Sequence, residues 1–305
     1  MYDIIISRRK LNIKKIILLA LLFILLVSTC TILGIKAVDK TREKAYADQL
    51  TAQEEMRIAE EERLRIEKEQ KQKEIELERL NKVNCELTEE QKYNILHIYN
   101  SNESEKRVFL TFDDGPTKAV TPFILDKLKQ YNVKATFFVL GQNVQYNPDL
   151  IVREYNEGHY IANHGTTHEY SKIYSSLEAI LAEYNYTDQA IKNALNNQLY
   201  KSKVFRFPGG SVGGKYNTIK QEAKQYLQEN GIVHLDWNSL SEDAAGSYTK
   251  EQLLQNTINT IGDHDSVVIL MHDSSDKILT YEMLDDLIKY LQQKNYKFCN
   301  IYDLL

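Results

Sequence analysis

Two adjacent carboxylates, Asp113 and Asp114, end an apolar run that begins at Arg107 and is followed at once by Gly115-Pro116. Successive side chains leaving an extended strand point to opposite sides. One carboxylate can therefore ligate a metal while the other stays free, close by, to move a proton. A lone Asp-Asp pair is ordinarily a solvated turn. Here it is accompanied by His164 and His168 in Asn163-His164-Gly165-Thr166-Thr167-His168. Histidines four apart lie on one face of a helical turn and can bind one ion. With Asp114 the donor set is two nitrogens and one carboxylate, with positions left for water and substrate. Such a set suits Zn²⁺, and also octahedral Co²⁺, Mn²⁺ or Ni²⁺. Arg206 in Phe205-Arg206-Phe207-Pro208-Gly209-Gly210, Asp236-Trp237, and His272 in Leu270-Met271-His272-Asp273 complete the set. Each alone has an ordinary explanation: a strand terminator, a cap beside a packed aromatic, a satisfied core histidine. Their succession, each at the end of an apolar stretch, points to one centre.

The elements that must position these groups alternate after residue 105. Strand patterns fall at 108–112, 135–140, 160–163, 204–207, 232–237, 267–271 and 298–301, with helical patterns between them, for example at 122–130, 177–195 and 281–293. This is the signature of an α/β fold with parallel strands. Seven strands at roughly equal intervals fit a barrel better than an open sheet. In such barrels chemistry gathers at the C-terminal strand ends, where this chain carries its unusual residues.

The first hundred residues read differently. Arg8, Arg9, Lys10, Lys14 and Lys15 precede an almost unbroken apolar run at 16–35, about the 20 residues a helix needs to cross a bilayer. Basic residues ahead of the run hold the N-terminus (1–15) in the cytoplasm and send the rest outside, as a single-pass membrane anchor. A cleaved signal peptide is the competing interpretation, but the run is long for one and no Ala-x-Ala site follows. Residues 36–104 are expected to form a charged helical stalk or linker, rich in Glu, Lys, Arg and Gln and supported by Glu61–Arg65, Glu67–Lys71, Glu69–Lys73 and Glu78–Lys82 steps. The apolar heptad repeat is not sustained, so a stalk-mediated dimer is the lesser expectation. Thr88 with Gln91 predicts a capped helix through His97, and 101–105 the boundary of a domain at 105–305. The net charge of −5 describes no single domain, because charge crowds before residue 85; no basic patch interleaved with aromatics calls for nucleic acid. Cys30, Cys85 and Cys299 have no CxxC spacing, and a packed, reduced Cys299 is favoured over a Cys85–Cys299 bridge.

From about residue 106 to the end the chain resembles the NodB-homology polysaccharide deacetylases, carbohydrate esterase family 4. The resemblance rests on Thr111-Phe112-Asp113-Asp114-Gly115-Pro116, His164-x-x-x-His168, Arg206-x-Pro208, Asp236-Trp237 and Leu270-x-His272-Asp273, with Lys134 to Gly141 matching the usual second strand. It implies a distorted (β/α)7 barrel in which Asp114, His164 and His168 bind the metal and Asp113 is the general base. It further implies that His272 is the general acid with Asp236 orienting it, that Arg206 holds Asp113, and that a backbone N–H of the third motif supports the oxyanion. Gly209 stands where many members carry an aromatic residue, so the backbone donor is retained while a side-chain wall of the groove is expected to be missing. Trp237 is expected to stack on a sugar and Leu270 to line an acetyl pocket. Tethered outside the membrane, such an enzyme meets the cell wall first. The expected substrate is thus N-acetylglucosamine of peptidoglycan, with lysozyme resistance as the consequence. Poly-N-acetylglucosamine, chitin oligomers, an O-acetylated glycan, or a non-catalytic wall-binding barrel are the alternatives.

Overall fold

The strands are β1 (Arg107–Asp113), β2 (Thr136–Val139), β3 (Tyr160–Asn163), β4 (Val204–Phe205), β5 (Val233–His234), β6 (Ser239–Leu240), β7 (Ser266–His272) and β8 (Lys297–Cys299). The helices are α1 (Tyr2–Asn84), α2 (Glu89–Leu96), α3 (Thr121–Gln130), α4 (Gly141–Tyr146), α5 (Pro148–Asn156), α6 (Tyr170–Ile173), α7 (Leu177–Leu195), α8 (Asn217–Glu229), α9 (Lys250–Ile261) and α10 (Ile278–Gln293). They are taken from a computed structural model that describes residues 2–100, 105–246 and 248–305. The side chains of Arg8, Arg9 and Lys10, and the boundary residues 101–104, lie outside what is described.

β1, β2 and β7 are near-continuous apolar runs because both of their faces are covered, the rule for parallel sheets. All pairings are parallel, in the order β5-β4-β3-β2-β1-β7-β6, with β8 joined to the start of β1. Followed around, this is chain order with a seam: among the described residues no ladder joins β5 to β6. The fold is thus the expected distorted barrel, realised as a parallel half-barrel. The strand not foreseen is β6, two residues long and too short to carry a period.

The amphipathic helices close the outside. α10 buries Thr280, Met283, Leu284, Leu287, Ile288 and Leu291, a three-and-four spacing that lays one stripe on the sheet. α7 begins at Ser176, whose side chain accepts from the Ala179 N–H, and ends at Asn196 in the left-handed region.

The register of β1 matters most for function. It pairs with β7 over seven positions, setting Asp113 opposite His272, and with β2 so that Asp113 lies opposite Phe138. The strand ends are tied further by Asp273 N–H to Asp113 O, His164 N–H to Val139 O and Arg206 N–H to Asn163 O. Residues as far apart in sequence as Asp113 and Asp273 are thereby held at one rim.

The chain divides into two units, Met1–Ile75 and Glu76–Leu305. The second unit begins well before residue 105, so part of the expected linker belongs to it. Leu87, Ile95 and Ile98 are buried in its core, and the Arg79 guanidinium donates to the Tyr155 carbonyl. These apolar residues are too sparse among charged neighbours to show a pattern in sequence. The Thr88–Gln91 capping box is formed as expected. α1 is unbroken, and an 18-residue window in it has mean hydropathy 3.0 with none of it buried in protein. By length and apolarity it is a candidate membrane span. Of the four expected ion-pair steps Glu78–Lys82 is formed at 3.4 Å, whereas Arg65 pairs with Glu62 and Glu69 instead of Glu61. All three cysteines are free, with Cys299 buried.

Candidate metal centre and active site

Asp114, the first residue past β1, has φ 74°, and His168 has φ 57°. Both are in the left-handed region that side chains avoid, and such strain is held only where the surroundings enforce it. At Asp114 the enforcement comes from Gly115 and Asp273: a Cβ on Gly115 would overlap the Asp273 carboxylate, which packs directly behind the turn. At His168 it comes from Glu183 of α7. Its carboxylate accepts from the Thr166 and Thr167 N–H groups and from Thr167 Oγ1 at 2.7 Å. The segment between the histidines is accordingly an irregular loop, not the helical turn their spacing suggested.

This loop nevertheless brings the two imidazoles to one carboxylate oxygen. Asp114 Oδ1 is 3.6 Å from Nε2 of His164 and 3.6 Å from Nε2 of His168. One ligand atom from each of the three residues lies within 4.8 Å of the others. His164 Nδ1 donates to the Arg206 carbonyl at 2.8 Å, which fixes the tautomer and leaves the Nε2 lone pair facing inward. Burial keeps that ring neutral, with its pKa lowered to about 3. Asp114 Oδ1 is itself buried and has no hydrogen-bond donor among the described residues. An orphaned carboxylate oxygen between two imidazole nitrogens is costly in a bare fold and natural around a cation. The N₂O donor set fits a divalent ion of the zinc, cobalt, manganese or nickel type.

Asp113 is held apart from this role. Its Oδ1 accepts from Arg206 at 2.7 Å, while its Oδ2 lies 3.7 Å from His164 Nε2. Arg206 is fully buried and spends three more of its donors on Thr111 Oγ1 and the Leu235 and Asp236 carbonyls, with its guanidinium 3.9 Å over the Phe138 ring. A guanidinium pinned this way cannot follow a moving carboxylate, so it fixes Asp113 in place. Burial raises the Asp113 pKa, and the charge of Arg206 opposes that rise.

His272 ends β7 across from Asp113. Its Nδ1 donates to Asp243 Oδ1 at 2.7 Å, and its backbone N–H donates to Asp243 Oδ2 at 2.8 Å. Thr280 Oγ1 also donates to Oδ2 at 2.7 Å. Burial alone would lower the His272 pKa, but the bond to Asp243 and its charge, aided by Asp113 and Asp114, raise it to about 9. Nε2 is left to carry a proton. Two carboxylates, one fixed near a candidate divalent site, and an imidazole held cationic beside them make a site suited to acyl transfer to water.

The polysaccharide deacetylase family profile matches residues 100–231. A peptidoglycan-N-acetylglucosamine deacetylase of Bacillus cereus is 35% identical over 208 residues, covering 65% of this chain and 70% of its own. The chain belongs to the polysaccharide deacetylase family. Peptidoglycan-N-acetylglucosamine deacetylase PgdA of Listeria monocytogenes is also 35% identical, over 206 residues. That match covers 66% of this chain but only 39% of the Listeria protein, so the chain spans about two-fifths of that relative's length. Among solved structures, the catalytic domain of peptidoglycan N-acetylglucosamine deacetylase from Eubacterium rectale superposes with a TM-score of 0.60 at 32% identity, covering 66% of this chain and 90% of that one. A Streptococcus mutans CE4 esterase superposes with a TM-score of 0.62 at 30% identity, covering 72% and 94%.

Against the pattern of this deacetylase family one assignment changes. Asp236 does not orient His272. Its carboxylate accepts instead from the Ser211 N–H at 3.0 and 3.2 Å and from Ser211 Oγ at 2.6 Å, so it braces the turn at 209–211. The carboxylate on the imidazole is Asp243, seven residues on, delivered by the irregular segment after β6. The sequence offered only a faint sign of it, an acidic residue in Ser241-Glu242-Asp243 just after a strand end. Asp273 was likewise overlooked as more than the histidine's neighbour. Fully buried, it accepts from Thr121 Oγ1 at 2.5 Å, and burial raises its pKa to about 7. Gly209 is exposed, at φ 73°, and its N–H has no protein partner among the described residues. Trp237 is half-buried against Gly210, and Leu270 with Leu240, Ala244 and Ala245 lines a small apolar recess of about 170 Å³ beside His272.

The orphaned oxygen makes a direct expectation. Purified protein titrated with Zn²⁺ or Co²⁺ by calorimetry should bind one equivalent per chain at this centre, and His168→Gln, which removes a ligand outright, should weaken that binding by at least the roughly 10- to 100-fold that loss of an outer-shell partner costs. Equal affinity in the variant would remove His168 from the donor set.

Proposed function

We propose that this chain is a divalent-metal-dependent N-deacetylase of an N-acetylated cell-wall glycan, with N-acetylglucosamine of peptidoglycan as its substrate and lysozyme resistance as its consequence. The observation that carries this is the buried Asp114 Oδ1 at 3.6 Å from each of the two Nε2 atoms, flanked by a pinned carboxylate and a cationic imidazole. The catalytic domains of relatives named for peptidoglycan N-acetylglucosamine support the choice of glycan.

Asp114, His164 and His168 would hold the ion, which when bound supplies Lewis acidity to an acyl carbonyl and acidifies water. Asp113 takes a proton from the attacking water while Arg206 keeps its carboxylate aimed. The Gly209 N–H, unpartnered and exposed, donates to the oxygen on which negative charge develops. His272 then passes its Nε2 proton to the departing nitrogen, and the C–N bond breaks to give acetate and a free amine. Asp243 holds the imidazole in the tautomer that makes this possible and stabilises its cationic form. Leu270 and the recess beside it receive the acetyl methyl, and Trp237 offers a face to a sugar ring.

The apolar window of α1 supports a membrane-anchored, wall-facing enzyme with residues 36 onward outside. A non-catalytic wall-binding barrel would have no use for a base, an acid and three metal-type ligands gathered at one rim. The test is release of acetate, matched by new free amines, on peptidoglycan, chitin oligomers, poly-N-acetylglucosamine and an O-acetylated glycan. Equal acetate and amine, greatest on peptidoglycan, is the expected result. Acetate without amine would make the enzyme an O-esterase, and no acetate from any polymer would end the deacetylase proposal.

A further inference from the structure

The turn Gly209-Gly210 was expected to leave the groove without a side-chain wall. In the folded chain each glycine instead yields its space to an aromatic ring delivered from elsewhere. A Cβ on Gly209 would overlap the Tyr170 hydroxyl and stand 2.9 Å from its Cζ, closer than real Cβ contacts come. A Cβ on Gly210 would lie 3.3 Å from Trp237 Cη2. Both glycines have positive φ, 73° and 82°. The turn is therefore clasped between Tyr170 on one side and Trp237 on the other.

Tyr170 opens α6, directly after the loop that carries His168. Its ring centroid is 5.4 Å from that of His168 and 5.8 Å from that of Tyr174, and Tyr174 in turn donates its hydroxyl to the Pro208 carbonyl at 2.7 Å. Tyr174 is buried, so it fixes the turn from below and Tyr170 from the side. Tyr170 itself stays 41% exposed. Its hydroxyl makes no hydrogen bond among the described residues, although it lies against the exposed Gly209. An amphipathic ring held rigidly at the mouth of a polar site, with an unspent hydroxyl, is suited to stack on a sugar and to bond it.

We propose that Tyr170 is a substrate-contacting, specificity-determining residue: its ring is the groove wall beside the metal centre, in the volume a side chain at 209 would fill, and its hydroxyl bonds the glycan. This rests on the deacetylase proposal above. It commits the site to a glycan chain that extends past the acetylated sugar's carbonyl toward α6, and it makes Gly209 and Tyr170 an interdependent pair.

Full-length protein, wild type and the variants Tyr170→Phe and Tyr170→Ala, would be assayed on an N-acetylglucosamine oligomer and on a small aryl acetate too short to reach α6. Tyr170→Phe should raise KM for the oligomer about fivefold, the loss of one hydrogen bond, and Tyr170→Ala should lower kcat/KM about 20-fold, mostly through KM. The aryl acetate should suffer a several-fold smaller loss in each variant, with one metal equivalent retained. Equal losses on both substrates, or none on the oligomer, would overturn the proposal. A wild type inactive on both would be assayed on peptidoglycan: release there carries the same comparison over to that polymer, and none overturns the deacetylase proposal and this one with it. Thermal melts supply a readout free of turnover. Gly209→Ala should lower Tm less in the Tyr170→Ala background than in the native one, because only the backbone strain then remains, and strictly additive losses would refute the clasp.

Discussion

Asp113→Asn is expected to lower kcat for acetate release by about 10³, within the range general-base removal produces, while leaving the fold and the bound metal in place. The asparagine oxygen can still accept the Arg206 hydrogen bond that Asp113 Oδ1 now receives at 2.7 Å, so the buried guanidinium keeps a partner. What is lost is the negative charge and the capacity to take a proton. The ligands Asp114, His164 and His168 are untouched, so calorimetry should return one equivalent of Zn²⁺ for the variant as for the native chain. A variant that released acetate at the native rate would show that Asp113 is not the base. One that lost both metal and activity would move Asp113 into the donor set, a role that its Oδ2, 3.7 Å from His164 Nε2, is near enough to test. Measuring metal content alongside turnover separates the two.

The parts of this site that were legible in sequence are those carried by long apolar strands. β1 and β7 each run seven residues, so their ends could be located and Asp113, Asp114 and His272 assigned to a common rim. The shorter strands gave looser bounds: β4 and β5 pair over only two residues each, far less than their apolar stretches. Arg206 and the two histidines were still correctly referred to strand ends because the turn residues Gly165, Pro208 and Gly209 follow so closely. Illegible were interactions that depend on one irregular segment meeting another. Whether Asp236 or Asp243 reaches the His272 ring is decided by the path of the chain between β6 and α9 and by Thr280 at the start of α10, none of which carries a period. The partition of Asp236 to Ser211 is likewise a property of the turn at 209–211. Tyr170 belongs to this class too: nothing in a four-residue helix signals that its ring fills the space vacated 39 positions later. Local pattern reports where strands end, and tertiary approach decides which neighbour a polar group then finds.

That division gives the second experiment its force, because it pits the carboxylate chosen from sequence against the one found in the fold. Asp243→Asn is expected to move the alkaline limb of the pH–kcat/KM profile down by two units or more, and Asp236→Asn to leave that limb where it is. His272 must be protonated to give its Nε2 proton to the leaving nitrogen, so activity persists below its pKa and is lost as pH rises through it. Burial pushes this pKa down, and the hydrogen bond and charge of Asp243 overcome that and lift it to about 9. Asparagine removes the charge and leaves the burial, opposed now only by the charges of Asp113 and Asp114, so the ring falls back to about its ordinary range near 6.5. At pH 8 the protonated fraction then drops from about nine-tenths to roughly three-hundredths, a loss of about 30-fold before any cost from a misoriented ring. At a pH below both values much of the rate should return, which a merely unfolded variant could not do. Asp236→Asn weakens the brace on Ser211 instead, and its cost should fall on kcat at every pH through the turn that bears Gly209. If the limb moved with Asp236 and stayed with Asp243, the 2.7 Å bond between His272 Nδ1 and Asp243 Oδ1 would not be the one that sets the acid's pKa.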